Sequence, residues 1–82
     1  MSRVYVSASA KRHRVSASRI RAALRHAGMP ELVQGDRMFF LGIDDRGVLL
    51  ELIAVPWPKD EEQLMVIHAM PYKWRGGRGG AM

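Results

Sequence analysis

The sequence predicts an α+β domain in which an N-terminal helical part packs on a small antiparallel sheet of three to four strands. One observation is an amphipathic helical pattern in the first third of the chain. A second is the series of three apolar runs, separated by short turn motifs, that comes after it. The third is the length, because 82 residues allow one domain with one modest core. We assign this domain to residues 1–76 and expect a flexible C-terminal tail at residues 77–82.

The N-terminal segment begins with a strand pattern. In "RVYVS", Val4 and Val6 alternate with other residues, which predicts a short strand at an edge of the sheet. Ser7 or Ser9 could cap a brief helix in the polar stretch beyond it. This segment is therefore expected to be partly ordered before the main helix begins.

The main helix is predicted in "SASRIRAALRHAG", where Ser16 or Ser18 can accept from the free N–H groups of the first turn. Apolar residues recur at i, i+3, i+4 and i+7, which makes one stripe: Ile20, Ala23, Leu24 and Ala27. The basic residues lie off this stripe and should form an exposed cationic face: Arg19, Arg21, Arg25 and His26. Gly28 is expected to end the helix in a left-handed conformation.

Three strands are predicted after the helix, at residues 37–43, 47–55 and 63–70. The preceding "MPELVQGD" is interpreted as a connection, and "DDRG" as a turn in which Gly47 takes a positive φ. "PWPKDEE" is interpreted as a loop, because two prolines interrupt a strand ladder. The short connections favour an antiparallel meander.

The middle predicted strand is apolar on both sides. Leu50 and Leu52 face one way, and Leu49, Ile53 and Val55 face the other. The main helix can cover one face, so a second cover must come from the N-terminal segment, from sheet curvature or from another chain. A homodimer or a partner protein is one expectation, and a small curled sheet that buries both faces is the other.

Charge is distributed unevenly along the chain, whose net charge is +5. Residues 1–30 contain seven Lys and Arg and no acid, residues 31–62 contain all eight acids, and residues 63–82 contain three Lys and Arg. Such cationic ends suit a polyanion, usually nucleic acid, or an acidic protein. The alternative interpretation is that the positive charge serves only to keep the protein soluble. No apolar run reaches the ~18–20 residues of a membrane span, and the lack of cysteine fits a reducing cytoplasm.

Two titratable residues interrupt the apolar strands. His68 is expected to share a strand face with Leu64, Val66 and Met70, either as a packed structural residue or as a catalytic one. Glu51 needs a partner because a half-buried carboxylate is costly. If Glu51 is structural, the partner is an arginine such as Arg37 or Arg46. If Glu51 is functional, it is either a general base or the group that orients His68. His13 and His26 are expected at the surface.

The stretch "YKWR" comes after the last strand. Lys73 and Arg75 can bind phosphate, and Trp74 can stack on an unpaired base. The alternative is that Trp74 fills the edge of the core while the two cations are solvated. The sequence contains no metal-ligand spacing, phosphate-cradling loop or nucleophile motif, so we expect no metal and no cofactor.

Three stretches together carry a family resemblance: "KRHRVSASRIRAAL", "RMFFLGIDDRGVLLELIAV" and "VIHAMPYKWR", spanning about residues 11–76. In order and spacing they resemble the BrnT-like toxins and related small domains of the RelE/ParE-type group. The resemblance implies a RelE-like fold and a cytoplasmic toxin of a type II toxin–antitoxin system. Such toxins are metal-independent endoribonucleases that cleave mRNA, in some cases on the ribosome, and a cognate antitoxin neutralises them.

Under this interpretation the candidate catalytic residues move protons or stabilise charge: His68, Glu51, Tyr72 and Arg75. The candidate nucleic-acid-binding residues are Lys11, Arg12, His13, Arg14, Arg46, Lys73 and Trp74. The chain departs from the family in its proline-split "VPWPKDEE" and in "IHAMPYKW", where relatives have a shorter turn and a more basic segment. The rival hypothesis is a non-catalytic basic module that binds RNA or an acidic protein partner.

Overall fold

The computed structural model describes residues 4–73, apart from the side chain of Glu61. It confirms the α+β class, with one α-helix packed on a mixed sheet of five strands. The elements are β1 (Val4–Val6), a 3₁₀ helix (Ala8–Lys11), α1 (Ala17–His26), β2 (Glu31–Gln34), β3 (Arg37–Ile43), β4 (Leu49–Trp57) and β5 (Asp60–Pro71). The tail predicted at residues 77–82 lies outside the described residues.

The sheet has the strand order β1-β5-β4-β3-β2. Strand β1 runs parallel to β5, whereas the other neighbours are antiparallel. The prediction of three to four antiparallel strands was therefore wrong in number and in direction. The meander of β3, β4 and β5 was correct, and β1 is an edge strand as expected.

Two segments that were predicted as connections belong to the sheet. Strand β2 lies within the supposed connection and is exposed along its whole length, so it has no apolar alternation to reveal it. Gly35, with φ 60°, makes the tight turn into β3. Strand β4 continues through Pro56 to Trp57, because the register shifts next to Pro56 and a bulge tolerates a residue without an N–H.

Helix α1 is capped by Ser16, whose hydroxyl accepts from the N–H of Arg19 at 3.3 Å. The helix packs closely on β3, because a Cβ at Gly42 would overlap the carbonyl group of Ala23. The helix ends at His26, and the chain continues as extended backbone at Ala27. Gly28 does not adopt the expected left-handed conformation.

The core lies between α1 and one face of the sheet. It contains Leu50, Leu52, Ala54, Val66 and Ala69 from the strands and Ala10, Val15, Ile20 and Ala23 from the N-terminal half. The opposite side, which we call the open face, carries Leu41, Ile43, Leu49, Glu51, Ile53 and His68. Leu41, Ile43 and Leu49 remain 39%, 48% and 38% exposed. The predicted opposition of two apolar sets is confirmed, and the described residues leave the second set partly uncovered.

Candidate functional site

Glu51 and His68 form a hydrogen-bonded pair on the open face. Ile53 lies opposite His68 and Met70 lies opposite Glu51, so the two side chains are diagonal neighbours on adjacent strands. Nε2 of His68 lies 2.7 Å from Oε2 of Glu51. The His68 side chain is 28% exposed, whereas that of Glu51 is 0% exposed. A buried carboxylate thus holds an imidazole that solvent can reach.

This pairing gives Glu51 one of the two kinds of partner that the sequence predicted. The expected ion pair with Arg37 or Arg46 is not formed, because both arginines are exposed at the ends of their hairpins. The interpretation that Glu51 orients His68 agrees with the geometry. An ionised carboxylate accepts hydrogen bonds, so next to ionised Glu51 a neutral His68 ring donates from Nε2 and carries its lone pair on Nδ1. That nitrogen can accept a proton from a substrate.

A β-bulge in β5 determines the face that His68 occupies. The register shifts so that His68 lies opposite Ile53 whereas Val66 lies opposite Ala54. Consecutive residues of β4 point to opposite faces, so Val66 and His68 do the same. The prediction that His68 shares a face with Leu64 and Val66 was therefore wrong, because it assumed an uninterrupted strand. Without the bulge, His68 would point away from Glu51.

The N-terminal segment supports this bulge from the edge of the sheet. The N–H of Ser7 donates to the carbonyl of Val66 at 3.0 Å. The Ser9 hydroxyl donates to the carbonyl of Ile67, the extra residue of the bulge, at 2.9 Å. Ser7 also accepts from the N–H of Ala10 and caps the 3₁₀ helix, so it is the cap of the two serines that the sequence offered. The 3₁₀ helix therefore extends the sheet edge where β1 ends.

His13 lies beside the Glu51–His68 pair. Its ring meets that of His68 edge-on, with 5.8 Å between centroids and an interplanar angle of 80°. The expectation of a plain surface residue was therefore wrong for His13, which is half-buried. His26 is exposed as expected, and its Nδ1 lies 2.8 Å from the carbonyl oxygen of Ile43.

The predicted cations are distributed unequally around this site. Lys11, Arg12 and Arg14 are exposed on the segment that contains His13. Tyr72 is half-buried and Lys73 is exposed just beyond the end of β5. Trp74 and Arg75 lie outside the described residues.

Arg46 is separated from the pair. It lies in the β3–β4 turn beyond Leu49, and Leu49 is four residues along β4 from the row that contains His68. At about 3.3 Å per residue this separation is roughly 13 Å or more. The backbone of Arg46 is therefore distant from that of His68, whereas Glu51 is only two residues along β4 from Leu49.

An aromatic cluster that the sequence did not predict lies at the opposite end of the same face. Tyr5 and Trp57 stack with 3.9 Å between ring centroids, and Nζ of Lys59 lies 5.9 Å from the Trp57 ring. Tyr5 comes from β1 and Trp57 from β4, so only the tertiary fold brings them together. The sequence indicated only that Tyr5 lies in a strand, through its alternation with two valines.

The second buried acid, Asp44, ties the β3–β4 hairpin to the helix. Its Oδ1 accepts from the N–H groups of Arg46 and Val48, and its Oδ2 lies 2.6 Å from Nε of Arg19. Burial alone would raise the pKa of Asp44, but these hydrogen bonds and the charge of Arg19 hold the pKa below its ordinary value of 3.8. The expectation that Arg19 belongs to an exposed cationic face was wrong, because this ion pair half-buries it.

Comparison with protein-family models, with curated proteins and with solved structures found no match to this chain. Within residues 4–73, no cluster of three or more His, Cys, Asp or Glu side chains is arranged to hold a metal ion. No helix in this range is long and apolar enough to cross a membrane. Function is therefore inferred from the geometry of the Glu51–His68–His13 cluster.

Proposed function

We propose that this protein is a metal-independent endoribonuclease that acts on mRNA as the toxin of a type II toxin–antitoxin system. The observation that carries the proposal is the 2.7 Å hydrogen bond from His68 to the buried carboxylate of Glu51. A carboxylate in this position fixes the ring and stabilises the imidazolium that forms when Nδ1 accepts a proton. The exposed cations Lys11, Arg12 and Arg14 next to His13 suit a phosphate backbone.

RNA cleavage of this kind needs three contributions. A base removes the proton of the 2′-hydroxyl, which attacks the adjacent phosphorus. Cations stabilise the charge of the phosphorane, and an acid protonates the departing 5′-oxygen. His68 acts as the base and Glu51 positions it. Lys73 and the basic segment around His13 supply positive charge. Arg75 and Trp74 keep their sequence-based roles as charge stabiliser and stacking residue, and Tyr72 remains a side chain that can move a proton.

The partners are part of the same proposal. A cognate antitoxin would bind the toxin in the cytoplasm, and the exposed Leu41, Ile43 and Leu49 of the open face are the apolar surface that such a protein, or a second copy of this chain, would cover. The RelE-like arrangement of the fold also belongs to this proposal. The meander of three antiparallel strands with a helix on one face supports it.

A non-catalytic RNA-binding module is the second candidate, and the Tyr5–Trp57 stack favours it. Aromatic rings beside a cation, here Lys59, are a common way to hold single-stranded bases without chemistry. Such a module would need no oriented histidine. The two candidates therefore differ in what His68 contributes.

Cleavage of a defined RNA by the purified protein tests the proposal. His68→Ala should bind RNA like the wild type but cleave it about 10²–10⁴-fold more slowly, because a general base acts only in the transition state. His26→Ala is the matched control, since His26 is exposed at the far end of α1. Circular dichroism checks the fold of each variant, and growth arrest on induction gives an independent readout.

Salt dependence tests the nucleic-acid part alone. If the basic segment contacts phosphates, log affinity should fall against log salt concentration with a slope of roughly −0.7 per contact on single-stranded RNA.

Cleavage by His68→Ala at the wild-type rate would remove the histidine from the mechanism. RNA binding without cleavage by the folded wild type, with and without ribosomes, would favour the binding module.

A further inference from the structure

A second histidine, His13, lies next to His68, the proposed base. The ring of His13 meets that of His68 edge-on at 5.8 Å between centroids, and both rings are half-buried. The two residues are far apart in the chain and belong to different elements, a segment after the 3₁₀ helix and strand β5. Two imidazoles at this separation are close enough to act on one phosphodiester group.

The backbone around His13 is held in an unusual conformation. Arg14 has φ 64°, in the left-handed region that is unfavourable for a residue with a Cβ. The N–H of Arg14 donates to the carbonyl of Lys11 at 3.0 Å, and Val15 then enters the core with 1% exposure. The burial of Val15 on one side and the 3₁₀ helix on the other thus fix the turn on which His13 is placed. Backbone strain of this kind concentrates at functional sites.

We propose that His13 is the general acid that protonates the leaving 5′-oxygen while His68 is the general base, a division of roles that rests on the proposed ribonuclease function. The contact with Glu51 favours this division, because a neutral His68 that donates from Nε2 to an ionised carboxylate has its lone pair on Nδ1. The leaving oxygen then needs a separate acid, and His13 is the imidazole that lies against His68.

Protons and bonds balance in this step. The 2′-hydroxyl proton passes to Nδ1 of His68, the O2′–P bond forms, the P–O5′ bond breaks, and a proton from His13 passes to O5′. The products are a 2′,3′-cyclic phosphate and a free 5′-hydroxyl, and proton exchange with water restores both histidines.

Two RNA substrates that differ only in the leaving atom test this assignment. In one the 5′-oxygen is natural, and in the other sulfur replaces it. A thiolate leaves without protonation, since thiols are far more acidic than alcohols; a cysteine thiol has a pKa of about 8.5. His13→Ala should therefore slow cleavage of the oxygen substrate about 10²–10⁴-fold and that of the sulfur substrate less than about tenfold. His68→Ala should slow both substrates by similar factors.

The controls separate the acid role of His13 from the proposed function. His13→Gln, which keeps a side chain of similar size, replaces His13→Ala if the alanine variant does not fold. Arg12→Ala, an exposed neighbour, should weaken RNA binding without discriminating between the substrates. Equal losses on both substrates, or full activity of His13→Ala, would overturn the acid role and leave the ribonuclease intact. A wild-type protein that cleaves neither substrate would overturn both.

Discussion

Two buried carboxylates, Asp44 and Glu51, are held in opposite ways. Asp44 is surrounded by fixed donors, the N–H groups of Arg46 and Val48 and the guanidinium group of Arg19, which is always charged. Glu51 instead bonds a histidine, whose charge can change near neutral pH. Asp44 lies where helix and hairpin meet, whereas Glu51 lies on the half-covered face of the sheet.

Under the proposed function, this difference separates a structural buried acid from a functional one. A carboxylate with permanently charged and backbone donors lowers the free energy of one conformation and transfers nothing. A carboxylate that bonds an imidazole sets its tautomer and responds to its protonation, which is useful only if a proton moves. Burial alone, at 3% exposure for Asp44 and 0% for Glu51, does not distinguish the two.

Among the substitutions that test this comparison, Glu51→Gln should show the largest effect on activity. The amide has nearly the same shape but removes the negative charge that stabilises the His68 imidazolium, so the cleavage rate should fall by about 10²-fold. RNA affinity and circular dichroism should stay close to those of the wild type. Single-turnover cleavage measures the effect, and an unchanged rate would assign Glu51 to the structural class.

Asp44→Asn is the matched substitution in the other region. It breaks the charge-assisted bond to Arg19, which is 15% exposed, and should cost about 2–3 kcal/mol of unfolding free energy. Thermal denaturation followed by circular dichroism measures this loss. The cleavage rate of the folded protein should be unchanged, so a selective loss of activity at full stability would contradict the comparison.

The carboxylate of Asp44 should cause much of the loss of fold stability at acid pH. Because the native pKa lies below the ordinary value of 3.8, this carboxylate stabilises the fold above that value, and the stabilisation is lost as the pH falls through the native pKa. Between about pH 5 and pH 3 the melting temperature of the wild type should therefore fall more steeply than that of Asp44→Asn. Parallel curves for the two proteins would show that another group causes the acid loss.

Ser9→Ala should have the smallest effect of these substitutions, although it should still alter the Glu51–His68 site through the bulge. Its hydroxyl is the side-chain donor to the bulged carbonyl of Ile67, so its loss should cost about 1 kcal/mol and lower the cleavage rate modestly. Ser18→Ala, which removes an exposed hydroxyl on α1, is the control for both measurements. An equal response of the two variants would mean that Ser9 does not support the bulge.

Much of the fold was predictable, and the exceptions have physical causes. The helix, a cap at Ser16 or Ser18 and strand β3 were predicted because periodicity and capping are local properties, and the structure shows that Ser16 is the cap. Strand β2 was missed because an edge strand exposed on both faces needs no apolar pattern. Arg19 was misplaced because helical spacing shows its angle on the helix but not the acid that another element brings to it.

The candidate site divides in the same way. Sequence alone singled out His68 and Glu51, because titratable groups in apolar strands require an explanation, and it placed His13 in a basic segment. It determined the elements, the α+β class and the cationic ends of the chain. Only the tertiary structure decided that these three side chains meet, through a bulge held by Ser9 and a left-handed turn at Arg14. Strand register and backbone turns of this kind arise from contacts between distant segments, so no local pattern of residues encodes them.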